Sequence, residues 1–310
     1  MHERLTQTEL DNDSQQTKEV PAGLLDTLRE LLGHGHVVTD ALECEYFAGD
    51  VFSQATPAGV VVAPRDKKQL AAVVKSVASA GLALVPRGGG MSYTGGYIPA
   101  ERNSVLVDTR RMNRVLEINE QDMFVTVECG ISWEALYLAL KDTGLCTPYW
   151  GTLSGRFSTV GGGLSQNSIF FGSARHGTAA DSVIGLEVVL ADGSTIKTGS
   201  AAQSNASPFF RHYGPDLTGL FTGDCGALGF KAEATFRLIP RQKAQAFGSF
   251  AFQQYEDMMP AMSEISRRNL VNECFGFDPY LQSQRMKRDS LASDAKKFVG
   301  VLKSAGGVGK

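Results

Sequence analysis

Two runs of three consecutive glycines are the residues best suited to chemistry in this chain. They are Gly88-Gly89-Gly90, inside PRGGGMSYTGG at 86–96, and Gly161-Gly162-Gly163, inside TLSGRFSTVGGGLSQN at 152–167. Without Cβ atoms, successive backbone N–H groups can turn toward one point and the chain can approach a bulky anion closely, which is what a pyrophosphate site needs. Two common nucleotide motifs are excluded by spacing. No G-x-x-x-x-G-K-S/T occurs, and neither block completes G-x-G-x-x-G, because Tyr93 and Gln166 stand at the third-glycine positions. A single such block reads equally well as a tight turn with no ligand. Two blocks, the first directly after a strand-like run, favour a ligand.

Other reactive side chains are weaker candidates. His34 and His36 would share one face of a strand, but no carboxylate or cysteine at a fixed spacing completes a metal site, and none is expected. Histidine's unperturbed pKa would suit His176 to proton transfer, although a turn role beside Gly177 is the simpler reading. Arg211, His212 and Tyr213 read as a solvated loop, and QRMKR at 284–288 as a solvated helix face. The five cysteines, Cys44, Cys129, Cys146, Cys225 and Cys274, are odd in number and contain no C-x-x-C pair. They give no disulfide framework or zinc ribbon and point to a reducing compartment. Cys225 is expected to be a small buried apolar residue, with a reactive thiol as the alternative.

The elements that must position these groups can be read from periodicity. Leu24, Leu25, Leu28, Leu31 and Leu32 fall at helical spacing before Gly33, whereas the first 20 residues are too polar to order themselves. Residues 59–63 form a β-branched run, Leu70, Val73, Val74 and Val77 a helical period closed by Gly81, and residues 82–85 a second apolar run. This order predicts a βαβ unit with a parallel pair, followed by a glycine-rich stretch at 86–96 that neither helix nor strand would tolerate. Further strands are expected around 105–107, 115–118 and 124–127, then a helix capped by Ser132 and ended by Gly144. A hairpin turns at Asp192-Gly193, and an alternating strand at 232–239 is closed by Pro240. Beyond it, 247–252 looks strand-like and 257–268 helical, and the glycine-rich 302–310 carries no closing element.

Thirty Lys and Arg against 33 Asp and Glu leave a formal charge of −3, which lacks the basic excess of a nucleic-acid binder. No run approaches the ~18 apolar residues of a membrane span, and the expectation is a soluble cytoplasmic protein. A length of 310 residues suggests about two domains.

Four segments in order carry a resemblance: VPRGGGMSYTGG (85–96), FSTVGGGLSQN (157–167), HGTAADSVIGLEVVLADG (176–193) and GLFTGDCGALGFKAEATFRL (219–238). Together they resemble the FAD-binding domain of the p-cresol methylhydroxylase and vanillyl-alcohol oxidase superfamily. The nearest subgroup is that of glycolate oxidase, D-lactate dehydrogenase and alkyl-dihydroxyacetonephosphate synthase. The resemblance implies an α+β fold: a PCMH-type FAD-binding domain of two α/β subdomains at 55–240, after an N-terminal tail and helix at 1–54. Residues 241–310 would begin a substrate-cap domain inside which the chain ends.

The resemblance also implies cofactor contacts. Pro86, Arg87, Gly88, Gly89, Gly90, Met91 and Ser92 match the pyrophosphate loop. Leu153, Ser154, Phe157, Ser158, Thr159, Gly161 and Gly162 match the segment running along phosphates, ribityl and ring, with Gln166 and Asn167 as further contacts. His176-Gly177 matches a Tyr-Gly or similar pair, Asp181 and Val183 precede the strand at the adenine end, and Cys225, Gly226, Ala227, Leu228 and Gly229 match E-G-T-L-G. Met91 stands where some members carry the histidine that bonds flavin, so the implied FAD is non-covalent. Leu153 and Cys225 replace acids common in relatives, which puts those acids' contacts in question.

The implied activity is an FAD-dependent oxidoreductase taking a hydride equivalent from a 2-hydroxy acid or similar alcohol, with a small-molecule substrate as partner and a homodimer as one candidate assembly. The alternatives are a flavin-dependent transferase like the ether-lipid synthase, or a non-catalytic FAD-binding fragment. No catalytic base is assigned.

Overall fold

The computed structural model describes residues 20–286. Helix α1 (Ala22–Leu32) is followed by β1 (Val37–Val38), α2 (Ala41–Phe47), β2 (Val60–Val62), α3 (Lys67–Ser79), β3 (Ala83–Arg87) and β4 (Ser104–Asp108). These four strands form one sheet in the order β1-β2-β4-β3. β1 runs antiparallel to β2, and β4 pairs in parallel with both β2 and β3. The expected βαβ pair is therefore not a direct pair, because β4 inserts between β2 and β3. β4 is buried along its whole length, as its apolar run Val105-Leu106-Val107 and its central position require.

Helix α3 forms because Asp66 caps it, accepting from Gln69 N–H at 2.9 Å, and because Leu70, Val73, Val74 and Val77 make one apolar stripe. That stripe packs in one core with Leu24, Leu28 and Leu32 of α1 and with Val60, Val62, Val105 and Val107. Helix α1 and β1 thus share the core of the first sheet.

The second sheet is antiparallel, in the order β5-β6-β10-β8-β9: β5 (Val115–Asn119), β6 (Phe124–Glu128), β8 (Val183–Val189), β9 (Thr195–Lys197) and β10 (Phe230–Arg237). Its core holds Trp133, Tyr149 and Phe236, with the indole edge-on to both other rings at 5.0 and 5.7 Å. Trp133 belongs to α4 (Trp133–Ala139), capped by Ser132 as the sequence predicts. The hairpin between β8 and β9 turns at Asp192, which accepts from Ser194 N–H at 2.8 Å. Lys67 at the start of α3 ties that helix to the second sheet, 2.7 Å from Glu187 on β8 and 2.9 Å from Glu233 on β10.

Short pieces complete the frame: β7 (Leu145–Cys146) pairs with β11 (Ile239–Pro240), and α5 (Val160–Ser165), α6 (Ser173–His176) and α7 (Leu217–Leu220) lie between the strands of the second sheet. Pro240 is thus a strand residue rather than a stop. Helices α8 (Tyr255–Arg267) and α9 (Pro279–Met286) follow. Two further expectations are corrected. Residues 247–252 form no strand, since no neighbouring strand is there to pair with them. Pro86 and Arg87, read as part of the glycine loop, are the last residues of β3, because β4 supplies partners as far as Asp108. The tail up to residue 19, Lys287 and Arg288 of the basic run, and 302–310 lie outside the described residues.

Candidate functional site

The loop leaving β3 opens one wall of a cleft of about 600 Å³, a size ordinary for cofactor sites. Along this wall the backbone N–H groups of Gly89, Gly90, Met91, Ser92 and Tyr93 have no acceptor among the described residues. The next two donors are used internally, Thr94 N–H on Ser92 Oγ and Gly95 N–H on Asp50 Oδ2. Buried donors are rarely left unpaired; these lie at the half-exposed cleft wall, open to an anion that enters it. Tyr97 OH donates to Ser92 O at 3.0 Å and Thr94 Oγ1 donates to Gln166 Oε1 at 3.0 Å, which fixes the loop against the opposite wall.

The two triple-glycine blocks do different work. In the first, a Cβ on Gly88 would overlap the Thr159 hydroxyl, and one on Gly89 would overlap the Phe157 carbonyl and stand 2.9 Å from Ser158 Cα. These glycines let the loop lie directly on segment 157–159. The second block is helical, as residues 161–163 of α5. Its N–H groups are all bonded within the protein: Gly161 to Cys129 O, Gly162 to Thr159 Oγ1 and Gly163 to Thr159 O. A Cβ on Gly163 would come 2.7 Å from Trp133 Nε1. The expectation of a second amide cradle is therefore corrected: close packing on Cys129 and Trp133 demands those glycines.

The third wall is the turn into β10. Cys225 (φ 52°) and Gly226 (φ 81°) both adopt left-handed conformations, which Asp224 holds by accepting from Gly226 N–H at 2.9 Å. A β-bulge sets Lys231 and Glu233 opposite the adjacent Val188 and Glu187. Lys231 reaches the cleft wall and pairs with Asp224, whereas Glu233 pairs with Lys67. Arg87 and Lys231 line the cleft, and among the described residues no carboxylate does.

Most residues singled out from the sequence meet at this cleft: Pro86, Arg87, Gly88, Gly89, Gly90, Met91, Ser92, Leu153, Ser154, Ser158, Thr159, Gly161, Gly162, Gln166, Asn167, Cys225, Gly226 and Gly229. Seven do not line it. Phe157 meets the glycine loop only through its backbone carbonyl, packed beside Gly89, and Ala227 and Leu228 face a neighbouring depression. His176 lines a separate cavity, its pKa held below the usual range by burial and then by Arg175 and Arg237. Gly177 (φ 85°) ends α6 against the Asp181 carboxylate, which accepts from Thr178 N–H at 2.7 Å, and Val183 is buried at the start of β8.

Two side chains depart from expectation. Arg87 packs its guanidinium against Gly90 of the loop and donates to Gly49 O at 2.8 Å and Phe47 O at 3.2 Å, stacked 4.9 Å from the Tyr97 ring centroid. Cys225 is exposed rather than buried, because the left-handed turn carries it outward. His34 and His36 lie in a short 3-10 turn, not a strand. Sequence reading missed Tyr97, Ser165, Ser168, Phe170 and Lys231. For Lys231 the available signal was a basic residue two positions from Glu233 in an alternating strand.

Acceptor-free amides without a facing carboxylate fit a diphosphate, and glycines that let three segments converge fit a long, thin ligand. The fold and cleft together define a flavin-nucleotide binding domain. Residues 58–199 match the model of the FAD binding domain family. The chain is 31% identical over 211 residues to the glycolate oxidase subunit of Bacillus subtilis, covering 68% of this chain and 43% of that protein. It is 34% identical over 239 residues to the mitochondrial D-lactate dehydrogenase [cytochrome] of Arabidopsis thaliana, covering 75% and 40%. The fold superposes on p-cresol methylhydroxylase with a TM-score of 0.67 at 19% identity, covering 84% of this chain and 49% of that one. For an alkyldihydroxyacetonephosphate synthase the TM-score is 0.63 at 21% identity, covering 73% and 45%. The chain therefore carries a domain of the FAD binding domain family, with FAD as its cofactor. It spans less than half the length of these relatives. Among the described residues no helix is long and apolar enough to cross a membrane.

Proposed function

We propose that this chain is the cofactor-holding part of an FAD-dependent oxidoreductase that takes a hydride equivalent from a 2-hydroxy acid or similar alcohol. The observation that carries the reading is the run of acceptor-free amides from Gly89 to Tyr93 in a cleft without carboxylates. Those amides would hold the pyrophosphate, and the 152–159 and 165–170 segments would hold the rest of the cofactor. When bound, FAD supplies the hydride-accepting chemistry, and the protein contributes position, charge and exclusion of water. The named relatives, a glycolate oxidase subunit and a D-lactate dehydrogenase, favour a hydroxy acid as donor.

Met91 lines the cleft, and its thioether forms no bond to flavin, so attachment is non-covalent. Residues 55–240 form the FAD-binding unit and residues from 241 the start of the substrate-selecting unit. Acid precipitation of the purified protein should release FAD into the supernatant. Anaerobic addition of D-lactate or glycolate should then bleach the flavin absorbance near 450 nm, an approximate position for a cofactor whose colour is its own. Bound flavin that neither acid reduces would remove the hydroxy-acid reading and leave the transferase or the non-catalytic binder.

A further inference from the structure

A second cavity of about 600 Å³ lies apart from the cofactor cleft. The bridge of Gly151 to Phe171 stands between them: Thr152 and Phe170 face the cleft, whereas Trp150 and Arg175 face the cavity. Arg175, Arg241 and Lys243 line it, and no carboxylate does. Arg241 is preset, donating from Nε to Leu145 O at 3.2 Å with its guanidinium carbon 4.5 Å from the Tyr137 ring centroid. Arg175 and Lys243 form no ion pair among the described residues. Three cations lining one cavity with no carboxylate among the described lining residues favour an anion there.

A second observation narrows the ligand. Asn272 Nδ2 donates to Gln242 Oε1 at 3.0 Å, and its Oδ1 is buried with no donor among the described residues. A buried acceptor left unpaired is costly, and a ligand hydroxyl would satisfy it.

We propose that this cavity binds a hydroxylated polycarboxylate, with Arg175, Arg241 and Lys243 meeting the carboxylates and Asn272 Oδ1 accepting from the hydroxyl. The site lies outside the cofactor cleft and is independent of the flavin reading.

Citrate and tricarballylate differ only in the hydroxyl and are the probes. Calorimetric titration of each into the full chain, saturated with FAD, should show saturable binding of citrate, weakened by added salt. Citrate should bind roughly threefold or more tighter than tricarballylate, the value of one net hydrogen bond. The pair Arg175→Gln and Lys243→Gln should weaken citrate roughly fivefold or more. Both side chains are exposed and unpaired, so the variant should fold, as circular dichroism checks. Asn272→Ala should abolish the preference for citrate over tricarballylate. Citrate heats that never saturate, affinity unchanged in the double variant, inorganic phosphate binding as tightly as citrate, or citrate displacing FAD would each overturn the assignment.

Discussion

Lys231 Nζ lies 2.6 Å from Asp224 Oδ1, and both side chains are 2% exposed. The pair ties the left-handed turn at Cys225 and Gly226 to the first residues of β10, so one wall of the cleft is set by an ion pair out of water. Removing one partner should be far worse than removing both, because the remaining charge stays buried. Asp224→Ala should cost about 3–5 kcal/mol, measured by urea unfolding. Lys231→Met combined with Asp224→Ala should recover most of it. A double variant as unstable as the single one would show that the turn depends on the Asp224 bond to Gly226 N–H instead.

Gly89 is the tightest joint between the two glycine-bearing segments. Gly89→Ala forces a Cβ into the Phe157 carbonyl and should cost about 1–3 kcal/mol, typical of overpacking. FAD affinity, read by quenching of flavin fluorescence, should fall with it. Gly23 in α1 has nothing within 4 Å of its Cβ position, so Gly23→Ala should stabilise by about 0.5–1 kcal/mol and leave FAD binding unchanged.

Thiol chemistry should separate the cysteines by position. Burial pushes the Cys129 thiol up to about 12, and Cys44 is raised by burial and by Asp40 and Glu43. Cys225 is exposed on the cleft wall. Iodoacetamide followed by peptide mass spectrometry should label Cys225 well before Cys44 or Cys129, and FAD should slow that labelling. Labelling of Cys225 at the same rate with and without FAD would place the cofactor away from this turn.

Lys67 ties helix α3 to the second sheet. Burial lowers its pKa, but hydrogen bonds and charge from Glu187 and Glu233 outweigh that and raise it above the usual lysine value. A folded pKa above the unfolded one gives stabilisation that is complete below the unfolded value, about 10.4 for lysine, and is lost as pH rises through the folded one. The stability difference between the parent and Lys67→Met should therefore stay level from neutral pH upward and shrink only in strong alkali. A difference already falling near pH 8 would contradict the two-carboxylate arrangement.

The sequence by itself determined most of the local structure and the location of the glycine loop that lines the cleft. Ser132 and the stripe Leu70, Val73, Val74 and Val77 are local signals, and helix formation answers to local spacing. The glycines at 88–90 were legible for the same reason, since a missing Cβ changes what a backbone can do wherever it stands. Tertiary structure decided the rest. Nothing local reveals that β4 enters between β2 and β3, because strand order depends on which chains meet after long loops close. The second glycine block has the same composition as the first, yet its amides are bonded to Cys129 and Thr159 within the protein. The Lys231 and Asp224 pair required a bulge in β10, and the cavity at Arg175, Arg241 and Asn272 joins residues almost a hundred positions apart, separations at which one-dimensional spacing carries no information.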